Sequence, residues 1–371
     1  MKLKNLVQKS LFIFLGILYF SGNNPSGKIQ YFGVPTLVAP VADTRYFILD
    51  FKDDIANDTL WQQISAEGYP LRYTRPIRTG VCFDNKCRPL DVTIHWNPTG
   101  RYLGFELPEK EFLSKYDHEP FTAEEYEQLH ALLTDQFSPL GSFHYNEIVP
   151  QADSTYDKVD AVSGATSANV LEYVVEGAAF TTYKLWNITY GSSQQHVQQL
   201  TEKALTPALV QLLLESPDMQ DKLWALNHIN GFITPDATLR QTLLTYISEK
   251  EFTLAERAIK SLNSRDLTDK TLQLEFTKKI FPASYSLKKL LLQKLQEAPA
   301  LQPEVVQLLR KNLSSFTGES LTTLLDLWAH HAIFDSETRT AVEQLRQHSN
   351  PFIAKKAEIF LQKSTRPTTQ K

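Results

Sequence analysis

The sequence predicts an α+β domain, mostly antiparallel sheet with packed helices, followed by an all-α solenoid of about five two-helix repeats. Three observations predict it. Between residues 45 and 110, short runs rich in β-branched and aromatic residues are broken by turn residues. Beyond Gly191-Ser-Ser the turn signals thin and apolar residues fall at helical spacing. Within that second half, apolar positions recur every 33 residues. A chain of 371 residues exceeds one ordinary domain, and 42% hydrophobic with 22% charged residues is enough to bury a sizeable core.

The first element is an N-terminal segment, residues 1–22. Lys2, Lys4 and Lys9 precede an apolar run from Leu11 to Phe20, and Ser21, Gly22, Asn23 and Asn24 follow. That order of charge, apolar core and polar exit is the order of a secretory signal. The core is short for a membrane span, so the segment is expected to be a signal peptide or an N-terminal anchor. The protein is then exported, to the periplasm or the outer face of the cytoplasmic membrane. Net charge is −4, from 38 Lys and Arg against 42 Asp and Glu, with no long basic run, which argues against nucleic acid as a partner.

The second element, residues 23–191, opens with a Pro- and Gly-containing lead-in to about residue 45. Tyr46–Phe51 reads as a strand. Leu90–Trp96 alternates, breaks at Asn97-Pro-Thr-Gly100, and resumes at Arg101–Leu107, which predicts a hairpin. Residues 121–136 read as a helix. Thr122 stands three residues before Glu125 in a capping-box pattern, and Leu129, Leu132 and Leu133 form the apolar stripe. Glu124-Glu125 suits the positive end of that helix. A further helix is expected over 167–186, with Val170, Val174, Ala178 and Thr181 on one face. The two cysteines, Cys82 and Cys87, lie in a strand–turn–strand segment with Asp84-Asn85 at its turn. Two close cysteines in an exported chain point to a disulfide, with a redox-active dithiol as the alternative. Two thiolates do not complete a zinc site, and the absence of Cys-x-x-Cys-His excludes covalent haem.

The third element, residues 197–363, carries the period. Ile229, Leu262, Leu295, Trp328 and Leu361 are spaced by 33, and Ala225, Ala258, Leu291, Leu324 and Ala357 stand four residues before them. Val210, Leu243, Phe276, Leu309 and Val342 form a second register, followed four residues on by Leu214, Ile247, Ile280, Leu313 and finally Arg346. Each unit thus holds two amphipathic helices that bury their faces only by stacking, with a polar terminal cap. The array resembles HEAT-type repeats in a degenerate form. Residues 364–371 form a polar tail expected to be disordered.

One segment carries chemistry: Val159-Asp-Ala-Val-Ser-Gly-Ala-Thr-Ser-Ala-Asn169. It resembles the flavinylation motif of the FMN-binding domain family, which includes the C- and G-type subunits of sodium-pumping and Rnf-type electron-transfer complexes. There, an Asp stands three residues before Ser/Thr-Gly-Ala-Thr, and the Thr is esterified to the phosphate of FMN by a flavin transferase that uses FAD and magnesium. The resemblance implies Thr166 as acceptor, with Asp160, Ser163, Gly164 and Ala165 as its recognition context and the adjacent hydroxyl of Ser167 as a minor alternative. Ala161 and Ala168 stand where the family often has Gly and Ser or Thr. Gly164 and Ala165 leave room beside the hydroxyl, and a helix beginning near Thr166 would offer its free N–H groups to the phosphate. The implied function is an extracytoplasmic electron-transfer flavoprotein whose helical array docks a membrane or periplasmic redox partner. Two alternatives remain: a flavin-dependent reductase of a small substrate, and a non-redox helical-repeat scaffold.

Secondary candidates are His95-Trp96 beside a flavin ring, Asp117-His118-Glu119 as a metal cluster, and His330-His331. Each has a simpler reading: a half-core, half-surface pair, a solvated loop, and a solvated or packing pair respectively.

Overall fold

The computed structural model describes residues 28–53, 55, 57–80, 89–115, 118–144, 148, 171–248 and 250–365. The N-terminal half is built on an open six-stranded antiparallel sheet: β1 (Ile29–Phe32), β2 (Asp43–Ile48), β3 (Thr59–Ile64), β4 (Pro70–Thr79), β5 (Leu90–Trp96) and β6 (Tyr102–Leu107). The spatial order is β1-β6-β5-β4-β3-β2, so the last five strands form a meander and β1 closes onto its far end. β5 and β6 are the expected hairpin. Asn97 organises its turn, its side-chain oxygen accepting from the Thr99 and Arg101 backbone N–H groups, and Gly100 supplies a φ of +81°. β1 lies in what reads as lead-in. Its approach depends on Gly104, where a Cβ would stand 2.2 Å from the Tyr31 carbonyl oxygen.

Period-two alternation sorts the sheet into two faces. Leu60, Tyr73, Ile77, Val92, Ile94, Trp96 and Phe105 point into one core, packed against helices α1 (Ala123–Thr134), α2 (Ala179–Tyr190) and α3 (Ser192–Lys203). The second face carries Tyr46, Trp61, Arg72, Thr74 and His95, and residues 33–41 cross part of it.

Helix α1 begins with the capping box read from the sequence. Thr122 Oγ1 accepts from the Glu125 N–H, and the Glu125 carboxylate accepts from the Thr122 N–H. The helix expected over 167–186 is corrected. Its described part is a 3-10 turn at Leu171–Tyr173, a turn at Gly177 with φ +72°, and then α2 from Ala179 to Tyr190. Gly191 alone separates α2 from α3, and a Cβ there would lie 2.6 Å from the Asn187 carbonyl oxygen.

The C-terminal half is helical: α4 (Pro207–Leu214), α5 (Met219–Asn227), α6 (Ala237–Tyr246), α7 (Phe252–Ser261), α8 (Lys270–Lys278), α9 (Tyr285–Gln296), α10 (Pro303–Lys311), α11 (Gly318–His330), α12 (Ser336–Glu343) and α13 (Pro351–Thr365). Even-numbered helices from α4 to α10 touch the next even one, and odd-numbered helices from α5 to α13 touch the next odd one. The residues spaced by 33 meet in one continuous core: Ile229, Leu262, Leu295 and Trp328 are fully buried there, as are Val210, Leu243, Phe276, Leu309 and Val342. Arg346, where that series turns polar, is exposed. The two cores meet where α3 ends. Leu200 packs on the sheet core and Ala204 on the helical one. Among the described residues no helix is long and apolar enough to cross a membrane.

Candidate functional site

Asp160, Ser163, Gly164, Ala165, Thr166 and Ser167 lie outside the described residues, as do Cys82, Cys87, the N-terminal segment and residues 366–371 of the tail. The chain that flanks them is defined. Ile148 and Val174-Val175 are buried in the sheet core on either side of the Asp160–Ser167 segment. Gln128 of α1 donates to the Val174 carbonyl at 3.4 Å, and Thr182 Oγ1 accepts from the Val175 N–H at 3.2 Å. Two residues later Gly177 presses on Lys115, whose side chain would lie 3.2 Å from a Cβ at that position. For the cysteines, β4 and β5 are adjacent strands and Thr79 pairs with Leu90, so Cys82 and Cys87 belong to the connection of a hairpin. Lys184 of α2 donates to the Gly80 carbonyl at 3.3 Å.

These flanks converge on one cleft of about 160 Å³, lined by Pro89, Leu90, Phe112, Leu113, Ser114, His118 and Thr181. Pro89 and Leu90 follow the cysteine connection, Ser114 adjoins Lys115, and Thr181 belongs to the first turn of α2. Leu90, Leu113 and the half-exposed ring of Phe112 give it carbon surface, and Ser114, His118 and Thr181 give it about as much polar surface. It is smaller than the usual small-ligand site of about 300–1,000 Å³, so it has room for one edge of a ring or a small polar group. His118 holds a φ of +67°. No group of three metal-ligating side chains occurs among the described residues. Of the Asp117-His118-Glu119 triplet, Glu119 pairs with Lys115 at 3.4 Å and Asp117 lies outside the described residues.

His95 and Trp96 point to opposite faces. Trp96 is core, its indole N–H donating to the Thr189 carbonyl at 2.9 Å. His95 is buried on the second face, with Nδ1 3.1 Å from Thr74 Oγ1 and its ring 4.9 Å from that of Phe32. Burial, then the charges of Arg72 and Lys28, push the imidazole down to about 3. Glu106 stands 3.7 Å from Nε2, but Lys28 at 2.6 Å offsets its charge. As pH falls from 6.5, its ordinary value, to about 3, the unfolded chain takes up a proton that the folded chain refuses. The stabilisation is complete above 6.5 and declines through that window. His95→Gln is therefore expected to flatten the acid side of the stability profile, by at most about 5 kcal/mol at its foot. Urea midpoints at stepped pH measure this, and parallel profiles for the two proteins would refute it.

His331 donates its Nε2–H to the Leu295 carbonyl, 3.1 Å away, with His330 edge-on at 4.9 Å. Glu125, beyond its capping role, pairs with Lys115 at 3.1 Å.

Two buried polar centres escaped the sequence reading. Arg75 is fully buried and grips Asp53 with both terminal nitrogens, at 2.6 and 3.0 Å. Asp221 of α5 is also fully buried and gathers Thr36, Asn97, Thr99, Arg101 and Ser216 around its carboxylate. The signal for Arg75 was present in its phase with core-facing Tyr73 and Ile77.

No protein-family model matches the chain, and no curated protein matches it.

Proposed function

We propose that this chain is an extracytoplasmic electron-transfer flavoprotein that carries FMN through a phosphoester on Thr166, and that its helical array docks a membrane or periplasmic redox partner. The observation that carries the reading is the run Asp160-Ala-Val-Ser-Gly-Ala-Thr166, with an acceptor hydroxyl beside two small residues and an Asp at the family spacing. The cleft supports it. Thr166 stands five residues before Leu171 in the sequence, so covalent geometry keeps their Cα atoms within about 18 Å. The chain that leaves Leu171 reaches the cleft at Thr181. Phe112, Leu113 and Leu90 offer carbon surface on which one side of a flavin ring can rest, and Ser114, His118 and Thr181 offer groups to orient its polar edge. Bound FMN supplies one- or two-electron chemistry, and the protein sets its exposure and potential. Covalent attachment suits an exported carrier, because a lost flavin is not readily replaced outside the cytoplasm.

The helix-on-helix stacking of alternate helices supports an α-solenoid reading of residues 197–363, resembling HEAT-type repeats. That array is also the observation that favours the second reading, a non-redox scaffold with no flavin. A reductase differs from a carrier in turning over soluble acceptors at steady state.

Co-expression with a flavin transferase in an exporting host, followed by denaturing electrophoresis and in-gel fluorescence, tests the proposal. The expected result is a fluorescent band with the added mass of FMN, lost in Thr166→Ala and kept in Ser167→Ala. A dark band of unmodified mass, beside a labelled control acceptor, would sink the flavin reading. Persistence of the label in Thr166→Ala would move the attachment elsewhere.

A further inference from the structure

A second recess lies on the opposite face of the sheet. Residues 33–41 arch over β3, β4 and β6 and enclose about 300 Å³. Its walls are Pro35, Leu37, Ala39 and Val41 from the arch and Leu71 and Leu103 from the sheet, all carbon, with Phe32 and Gly33 at the β1 end. Two polar side chains enter it, Gln63 and Arg72. Arg72 Nε donates to Gln63 Oε1 at 3.0 Å, and the guanidinium stands 5.9 Å from the centre of the Phe32 ring. Among the described residues, its two terminal nitrogens meet no acceptor and no carboxylate. The sign of the local field is positive, since Arg72 and Lys28 both disfavour a proton on the neighbouring His95.

The recess is preformed. Gly33 N–H donates to the Leu103 carbonyl at 2.7 Å, Arg101 donates to the Val34 carbonyl at 3.0 Å, and the Thr36 hydroxyl donates to Asp221 at 2.6 Å. These bonds pin the arch at its start and middle. Beyond them Val38 and Val41 are 88% and 50% exposed, so the mouth has an apolar rim. Carbon walls with a single cation at one end are complementary to a ligand with a hydrocarbon tail and one negative charge. A tail needs no hydrogen-bond partner, and a carboxylate or phosphate accepts two parallel bonds from a guanidinium. The volume falls at the small end of the range for ligand sites, about 300–1,000 Å³.

We propose that this recess binds a single-chain anionic amphiphile, with its alkyl chain between the arch and the sheet and its head group on Arg72. This assignment is independent of the flavin reading, because no residue of the recess lines the flavin-side cleft.

Calorimetric titration of the full chain tests it, with dodecanoate below its micelle concentration as probe and dodecanol as the uncharged control. Dodecanoate is expected to bind saturably, one per chain. Arg72→Gln should weaken dodecanoate by about tenfold or more while leaving dodecanol within about twofold, because only the charge-assisted bonds are lost. Ala39→Trp, at an exposed position, should fill the recess and abolish binding of both, with an unchanged thermal midpoint reporting an intact fold. Non-saturable uptake by the unaltered chain, equal dodecanoate affinity in Arg72→Gln, or undiminished binding in Ala39→Trp overturns the proposal. Binding to anionic phospholipid vesicles without binding of monomeric dodecanoate also overturns it, since a flat membrane contact would then account for the surface.

Discussion

Asp221→Ala is expected to destabilise the chain by about 3–5 kcal/mol, the range for breaking a buried charge pair from one side. The carboxylate is fully buried, 2.9 Å from Arg101 Nη2, and accepts from Asn97 Nδ2 at 2.7 Å, Thr99 Oγ1 at 2.7 Å and Ser216 Oγ at 2.8 Å, besides Thr36. Burial opposes its ionisation, but Arg101 and the Thr36 and Thr99 hydroxyls outweigh that and hold it below its ordinary value of 3.8. Alanine removes an acceptor shared by five donors; Asn97, Thr99 and Arg101 keep the Thr36 hydroxyl, the Asn97 side-chain oxygen and the Val34 carbonyl, while the Thr36 and Ser216 hydroxyls lose their acceptor. These partners come from the arch, the β5–β6 turn and the α4–α5 loop, so the loss falls on the seam between the two cores. Unfolding of the variant in urea is therefore expected in two steps, the sheet and the helices separating where the parent protein melts together. A single transition with an unchanged midpoint would reject this. Asp221→Asn, which keeps the acceptor oxygen and loses the charge, should fall between the two.

Arg75→Met is the second large effect, about 3 kcal/mol. Arg75 sits on the core face of β4 with no exposed side-chain surface, its guanidinium 3.6 Å from the centre of the Phe51 ring. It donates to Asp53, to Ser193 Oγ at 2.9 Å and to the Asn57 carbonyl at 3.1 Å. Asp53 is 21% exposed and rehydrates when its partner leaves, which keeps the cost at the low end of the buried-pair range. The bonds hold Asp53 and Asn57 against α3. Hydrogen exchange should therefore accelerate there in Arg75→Met, and far less at β5 and β6. Arg75→Lys should recover little, because an ammonium cannot span two Asp53 oxygens, Ser193 and a backbone carbonyl together. A variant with parent-like exchange in this segment would show that packing on Phe51, rather than the guanidinium, holds it.

Neither residue is conspicuous in the sequence, and the reason is distance along the chain. Asp221 reads as an ordinary acid in the first turn of a helix, where it suits the dipole. Its partners lie 120 and more residues away, apart from Ser216. What was legible is what neighbouring residues decide: the Asn97–Gly100 turn, the Thr122–Glu125 capping box and the 33-residue spacing of the helical core. The expected helix through 167–186 failed at a local exception, since Gly177 takes a positive φ amid residues with sound helical spacing. β1 was missed because its pairing is set by a glycine on β6, not by its own four residues. For the proposed flavin site, the run Asp160–Thr166 that suggests it is plain in the sequence. The cleft is not, because Leu90, Phe112, His118 and Thr181 come together only when the hairpin, the loop before α1 and the start of α2 are assembled.

The strand order has a consequence for how the chain acquires its shape. β3 through β6 each pair with the strand made just before, and the main helix contacts beyond α4 are with recent predecessors. Such structure condenses progressively as polypeptide is synthesised, with little loop entropy lost at each addition. β1 is the exception. It emerges before the rest of the sheet and waits for β6, and the arch that follows it is fastened only when Asp221 arrives. The oldest segment of the sheet is thus among the last to be secured. Until then the apolar side chains that the fold comes to cover, Tyr31 and Leu37 among them, are open to chaperones and to aggregation.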